Sequence, residues 1–336
     1  MTGLFYFYKV KILIIRFSSI GDIVLTTPVI RCLKKQLPGN EIHFITKKQF
    51  QPVLEHNPYV DKLWLIEKEI DEVIKDLKKE KYDHIIDLHH NLRSLRLKLK
   101  LTGKKTSFRK LNVEKWLMVN FKINKLPDQH IVDRYMETIS GLNVKNDNAG
   151  LDYFLVQTDE VEIKSIPSSH QNGYIAFAIG AQYNTKKLPV EKIISICRKI
   201  DQPVVLLGGK EDADTGETIK NEVGENIYNA CGKYSLNQSA SLTQQSKMVI
   251  THDTGLMHIA VAFGKKIISV WGNTIPEFGM YPYIPGKENF YKIAEVNGLP
   301  CRPCSKIGFS ECPKKHFKCM REINEELIVQ WVKEGF

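Results

Sequence analysis

Residues 252–258 read His-Asp-Thr-Gly-Leu-Met-His. The apolar run 248–251 before them predicts a buried strand, and 259–263 after them a helix. An acidic, glycine-containing turn thus sits where a strand feeds a helix N-terminus, the place where α/β proteins hold phosphorylated ligands. Asp253 suits the N-cap. Gly255 admits a ligand to the backbone, and Thr254 and His258, four apart, share one helix face. The same residues also fit a plain capped helix with a surface histidine.

Three other turns carry similar chemistry. Residues 16–22, Arg-Phe-Ser-Ser-Ile-Gly-Asp, lead from a strand into a helix. The turn is poorer in glycine than a phosphate cradle, and a carboxylate at the helix start suits a base better than a phosphate neighbour. Asp22 is therefore a candidate base, with a helix-start acid that favours the macrodipole as the other reading. In residues 180–189, Lys186 could reach a diphosphate or stand solvated. In residues 208–212, Glu211 could accept hydrogen bonds from a ribose or cap the next helix. Ligands of such sheets bind beyond the strand carboxyl ends, so the 180–189, 208–212 and 253–258 turns converge on one crevice.

The elements that must position these residues alternate. Strands are predicted at 10–16, 41–46, 62–66 and 82–88, with a helix from Gly21 to about Leu37 and a charged helix over 68–81. Polar stretches at 141–150 and 163–173 suit an interdomain linker. The rhythm then resumes with strands at 174–179, 203–207, 226–229, 247–251 and 266–270, and helices starting near Pro189, Asp212, Ser239 and Thr254. The pattern predicts two doubly wound, parallel α/β domains facing across a cleft.

With 336 residues, 43% hydrophobic and 26% charged, the chain suits a globular, soluble protein of two domains. No apolar run approaches the ~20 residues of a membrane span. Residues 1–8 are apolar but lack a basic n-region and a cleavage site, so they make a poor signal peptide. They suit extra strand residues, a mis-assigned start or an apolar surface contact. The net charge of +10 is concentrated in residues 91–125, which hold eleven basic residues and one acid, Glu114, interleaved with leucines and aromatics. Such a segment suits anionic lipid headgroups, an anionic glycolipid or a solvated basic face; no nucleic-acid motif accompanies it. Late in the chain stand Cys301-x-x-Cys304, Cys312 and Cys319, with His316 between the last two. This spacing suits structural zinc, with His316 as an alternative ligand; disulfides and unlinked thiols are the other readings. Cys32, Cys197 and Cys231 look like core residues.

Taken together, the motifs resemble glycosyltransferase family 9, the ADP-heptose:lipopolysaccharide heptosyltransferases. They are Arg16-x-Ser18-Ser19-x-Gly21-Asp22 with Pro28, then Asp87-Leu88-x-x-Asn91-x-Arg93-Ser94, then Asp253-Thr254-Gly255-x-x-His258-x-Ala260, and Gly272-x-Thr274-x-Pro276. The chain departs from the family at Leu188, where an aromatic is common, and in the residues ahead of Lys9. The resemblance implies a GT-B fold of two Rossmann-like domains: residues 1–160 for the acceptor, 170–320 for the nucleotide-sugar donor, and a C-terminal helix over 321–336 packing back on the first domain. It implies an inverting transfer of heptose from ADP-heptose to the lipopolysaccharide inner core, with no metal required. Asp22 would be the base. Lys186, Glu211, Asp253, Thr254, Gly255 and His258 would bind the donor, and Ser18, Ser19, Asn91 and Arg93 the acceptor. The acceptor would be a Kdo-bearing lipid A, placing the protein in the cytoplasm, peripheral on the inner face of the cytoplasmic membrane. The competing readings are a sugar-nucleotide epimerase of the same fold and a non-catalytic nucleotide- or lipid-binding module.

Overall fold

The computed structural model describes residues 9–335, so the apolar start at 1–8 lies outside the described residues. The chain forms two compact units. One comprises the residues up to Lys110 together with Ile131–Phe154; the other comprises Leu111–His130 and the residues from Leu155 onward.

The first unit is built on β1 (Lys11–Ile15), β2 (Glu41–Lys47), β3 (Lys62–Ile66), β4 (His84–Asp87) and β5 (Lys104–Ser107), in the order β3-β2-β1-β4-β5. All neighbouring strands are parallel. Ile12, Leu13, Ile14 and Ile15 of β1 are fully buried, as a strand covered on both faces requires. The single helix predicted from Gly21 is two, Ile20–Val24 and Thr27–Gln36, because Pro28 begins a new helix in its first turn. The charged helix predicted at 68–81 resolves into a 3-10 turn, Ile70–Glu72, and the helix Ile74–Glu80. β5, Lys-Lys-Thr-Ser, has no apolar pattern to announce it; it is an exposed edge strand.

The second unit carries β6 (Ile175–Ala178), β7 (Val204–Leu207), β8 (Ile227–Asn229), β9 (Met248–His252), β10 (Lys266–Trp271) and β11 (Tyr291–Glu295). Their order is β11-β10-β9-β6-β7-β8, again parallel throughout. The helix expected from Ser239 begins at Leu236, because Ser235 caps it by accepting from Gln238 N at 3.2 Å. The sequence reading sends the C-terminal helix back onto the first domain. Instead Glu325–Glu334 buries Ile328, Val329 and Val332 in the second unit's core with Ile193 and Ile196, and Glu325 pairs with Lys192 at 3.1 Å.

A buried cation ties the first unit together. Arg31, on the helix Thr27–Gln36, donates to both carboxylate oxygens of Asp147 at 2.7 and 2.8 Å and to Gly150 O at 2.9 Å, and it also pairs with Asp152. It thereby fastens the segment that follows the helix Ile131–Glu137. Arg31→Met would leave two partly buried carboxylates without their cation, and the unfolding free energy in urea should fall on the order of 3 kcal/mol.

Two histidines at or just beyond strand ends are held neutral. His252, fully buried at the end of β9, accepts from Leu188 N through Nε2 at 2.9 Å; burial, then Lys187, lowers its pKa to about 3. Burial, then Arg16, lowers His89 to about 4. An unfolded histidine titrates near 6.5, so between that pH and about 4 the unfolded chain binds more protons. Stability is thus complete above pH 6.5 and falls as pH drops, by about 1.4 kcal/mol per pH unit for each histidine. Urea titrations from pH 7 to 4.5 should show this slope, and His252→Gln should make it shallower.

Candidate active site

Strand order reverses between β1 and β4 in the first sheet and between β6 and β9 in the second. At such a point successive connections leave toward opposite faces, and a crevice opens at the strand carboxyl ends. The candidate catalytic, donor and acceptor residues sit on the connections after these four strands, except Glu211, which follows β7.

In the first unit, β1 runs into Arg16, which is almost wholly buried. Its guanidinium donates to Leu88 O beyond β4 at 2.5 Å, to the Tyr135 hydroxyl at 3.1 Å and to Ser18 O at 2.7 Å, and it pairs with Asp22 Oδ1 at 2.6 Å. Asp22 Oδ2 accepts from Ser19 Oγ at 2.8 Å and Ser19 N at 3.2 Å, a reciprocal helix-start arrangement. Burial pushes the Asp22 carboxyl up, but Arg16 and the two Ser19 hydrogen bonds outweigh it, so its pKa lies below the ordinary 3.8. Asp22 is thus a helix-start acid, and its ionised carboxylate stands at the switch point. A carboxylate has about four acceptor sites, so these contacts leave capacity for a substrate proton.

The β4 connection holds Asp87, fully buried. Its Oδ1 accepts from the backbone of His89 and His90 at 3.0 and 2.7 Å, and its Oδ2 pairs with Lys98 at 2.9 Å. Lys98 therefore leaves the basic face to which its sequence neighbours assign it and anchors this turn. Asn91, a candidate acceptor residue, caps the helix Leu92–Lys100 by accepting from Ser94 N at 2.9 Å. Arg93 lies over the Phe17 ring at 5.8 Å. Ser18 is half-buried and Ser19 exposed.

In the second unit the β6 connection carries Lys186 and the β9 connection Asp253. Lys186 Nζ lies 2.6 Å from Asp253 Oδ2 and 3.2 Å from its carbonyl, and Thr274 Oγ1, beyond β10, donates to the same carboxylate oxygen at 2.9 Å. Asp253 does not cap the next helix: the helix is Gly255–Ala262, and its N-cap is Thr254. With its carboxylate turned toward Lys186 and Thr274, Asp253 is spent on joining three strand ends. Thr254 and Gly255 leave the first amides of that helix at the crevice. His258 is 2% exposed, so the surface-histidine reading fails.

Glu211 stands exposed in the 3-10 turn Lys210–Asp212 after β7. Its neighbour Asp212, which the sequence reading passed over, is buried. It accepts from Lys187 at 2.6 Å and from Gly209 N at 3.0 Å. A Cβ on Gly180 would lie 2.4 Å from this carboxylate, and one on Gly208 would lie 2.8 Å from Asp212 Cβ. The glycines therefore let the β6 and β7 turns close on Asp212. The pairing partner of each loop is thus one residue removed from, or the same as, the residue singled out: Lys187 with Asp212, Lys186 with Asp253.

The cysteine segment braces this site. Arg302 donates to Gly272 O at 2.7 Å and Thr274 O at 2.9 Å and pairs with Glu295. Phe309 N donates to Thr185 Oγ1 at 2.8 Å, and Thr185 N to Phe309 O at 3.2 Å, fixing the residue before Lys186. The thiols of Cys301, Cys304, Cys312 and Cys319 are free, and Cys301 Sγ lies 3.7 Å from His316 Nε2. Burial, then the neighbouring thiols, raises the pKa of Cys319 to about 12. Among the described residues, no group of three or more His, Cys, Asp or Glu is arranged to hold a metal ion.

Comparison with known proteins agrees with this architecture. The model of glycosyltransferase family 9 (heptosyltransferase) matches residues 70–311. Lipopolysaccharide heptosyltransferase 1 of Campylobacter coli is 24% identical over 97% of this chain and 99% of its own length. A family 9 glycosyl transferase from Veillonella parvula superposes with a TM-score of 0.78 at 23% identity, covering 97% of this chain and 96% of that one. The E. coli ADP-heptose LPS heptosyltransferase II superposes with a TM-score of 0.73 at 18% identity, over 97% and 98% of the two chains. Two parallel-sheet units with these switch points, matched along most of the chain, make this protein a member of glycosyltransferase family 9, an enzyme of heptosyltransferase type with the GT-B fold.

Proposed function

We propose that this enzyme moves a heptose from ADP-heptose onto the lipopolysaccharide inner core, with inversion at the anomeric carbon and no metal in the reaction. The observation that carries the proposal is the Asp22 carboxylate at the first switch point, held ionised by Arg16 and Ser19. The named activity of the Campylobacter coli relative and the donor named for the E. coli enzyme support the substrate pair.

The acceptor is a hydroxyl of Kdo-lipid A or of heptosyl-Kdo-lipid A. Its oxygen attacks the anomeric carbon from the face opposite the diphosphate. The new C–O bond forms as the bond to the ADP oxygen breaks, and the hydroxyl proton passes to Asp22. A hydroxyl grows acidic as its oxygen bonds to carbon, so a weak, permanently ionised base is adequate. One carboxylate suffices, since the departing diphosphate needs no proton. Lys186 and the first amides of the helix at Gly255 receive the charge that develops on ADP. Asp253 and Thr274 orient Lys186, His258 supports the same wall, and Glu211 accepts from the ribose. Ser18, Ser19 and Arg93 face the acceptor. The reaction places the enzyme in the cytoplasm at the inner membrane face; no helix among the described residues is long and apolar enough to cross a membrane.

The test is ADP release from ADP-heptose with and without a Kdo-lipid acceptor. Release should require the acceptor, and Asp22→Asn should lower kcat at least a hundredfold while leaving donor KM nearly unchanged. Full activity in this variant would overturn the base assignment, and acceptor-independent release of free sugar would overturn transfer. Because the Asp22 pKa is depressed, protonating it abolishes catalysis only below the ordinary carboxylate range, so kcat/KM should show no acidic limb assignable to Asp22 between pH 8 and 5. Lys186→Ala should lower kcat/KM for the donor by tenfold or more, with the loss persisting when EDTA or Mg2+ is added.

A further inference from the structure

The β4 connection holds a histidine that the proposed reaction does not use. Ile15 of β1 pairs with Asp87 of β4, so the residues two places further on, Phe17 and His89, stand side by side beyond the strand ends. Their rings touch edge to face with centroids 5.2 Å apart, and Phe17 is fully buried. The Arg93 guanidinium lies over the same Phe17 ring. Leu88, the residue before His89, gives its carbonyl to Arg16, the cation that pairs with Asp22. His89 N itself donates to Asp87 Oδ1 at 3.0 Å. His89 is thereby fixed, within the first unit, next to residues assigned to the acceptor and the base.

Its two ring nitrogens differ. Nδ1 is buried and has no hydrogen-bond partner among the described residues. Nε2 is not buried, and none of the described residues engages it. The ring is neutral: burial first, then Arg16 and Lys110, lower its pKa to about 4, and Asp22 and Asp87 raise it by less. A neutral imidazole carries one N–H. On Nε2 that proton is solvated or given to a ligand. On Nδ1 it would be a buried donor with nothing to receive it, the costlier arrangement. The tautomer is therefore Nε2–H, a donor open to solvent. Packing does not call for it: a leucine would meet Phe17 without stranding a nitrogen, so the imidazole is accounted for by what Nε2 can bind.

We infer that His89 is an acceptor-binding residue: its Nε2–H donates to an oxygen of the acceptor sugar next to the hydroxyl that Asp22 deprotonates, and so turns that hydroxyl toward the base. The bond goes to a neighbouring oxygen and not to the nucleophile, because a donor on the attacking oxygen would withdraw the electron density that forms the new bond. A neutral donor suits this place, since a second cation beside Asp22 would weaken it further as a base. The inference rests on the proposed transfer, but it is tested on acceptor binding without a donor, so the two can fail separately.

With nitrogen-labelled imidazoles in the full chain, deacylated Kdo-lipid A added without ADP-heptose should move the His89 Nε2 resonance and leave that of buried His252 in place. In turnover, His89→Leu should raise the acceptor KM about fivefold or more, the loss of one neutral hydrogen bond and its orientation, with donor KM and melting temperature unchanged. His89→Gln, whose amide nitrogen reaches the place of Nε2, should restore most of the affinity. His89→Asn, which imitates Nδ1, should not. Acceptor analogues that each lack one oxygen, and one with the carboxylate reduced to an alcohol, locate the partner. One of them should lose about fivefold or more with the wild-type chain and about twofold or less with His89→Leu. Between pH 8 and 5.5, where His89 stays neutral, the acceptor KM of the wild type and of His89→Gln should follow the same curve. An unmoved Nε2 resonance, equal rescue by Asn and Gln, coupling to no analogue, or divergence of the two pH curves would overturn the inference. A lowered melting temperature in all three variants with acceptor KM unchanged would also overturn it and assign His89 to the fold alone. Each of these outcomes leaves the transfer reading standing, which Asp22→Asn tests.

Discussion

A parallel sheet can be entered by a ligand only where neighbouring connections part, because elsewhere helices cover both of its faces. That constraint singles out where each unit of this protein can hold a ligand. β1 and β4 part in one unit and β6 and β9 in the other, and Arg16, Asp22, Asp87, Lys186 and Asp253 all belong to those four connections. The buried strands fix the geometry. β1 and β9 are apolar or fully buried along almost their whole length, so the residues that follow them emerge at determined heights and directions.

The charges placed there come in pairs. Arg16 holds Asp22, Lys98 holds Asp87, Lys186 holds Asp253 and Lys187 holds Asp212, each at 2.6 to 2.9 Å. Removing one member of such a pair strands the other in a poorly solvated place, which costs more than the intact pair contributes. The pairs differ in what they leave available. Asp87 and Asp212 are almost wholly buried, and their lysines serve the fold. Asp22 and Lys186 keep part of their surface open. On the proposed reaction, Lys186 meets the diphosphate with its charge already balanced by Asp253. The helix amides at Gly255 therefore carry a larger share of the anion's binding than a bare lysine loop would imply.

The fold was legible in the sequence wherever burial on two faces leaves continuous apolar runs, as in β1, β2, β6 and β9. It was illegible where that signal is missing. β5 is an exposed edge of Lys, Lys, Thr and Ser, and β11 is only partly buried. At the candidate site, composition picked out the strand-to-helix turns but not which of two adjacent residues points inward. Lys186 and Lys187, or Glu211 and Asp212, are chemically alike, and no periodicity in a turn distinguishes them. The selection is made by contacts from distant strands: Thr274 for Asp253, and the close approach of Gly180 and Gly208 for Asp212. Arg16 was visible as part of a motif, but its bond to Leu88 O depends on β1 lying beside β4, a pairing 72 residues apart in sequence.

The segment between Leu92 and Ile123 shows how burial sorts a sequence that looks uniform. Read by composition, it is a run of lysines, arginines and leucines in which every member has the same role. Folding divides it. Lys98 and Leu97 turn inward, the first to satisfy Asp87 and the second to fill the first core. Arg93 settles against Phe17. What remains outside is a leucine stripe and a helix on which Val113, Trp116 and Phe121 are exposed while Leu117, Met118 and Val119 are half-buried. Burial of apolar surface is the main favourable term in folding, at about 25 cal/mol per Å², and on this helix Leu117, Met118 and Val119 gain part of it while Val113, Trp116 and Phe121 gain little.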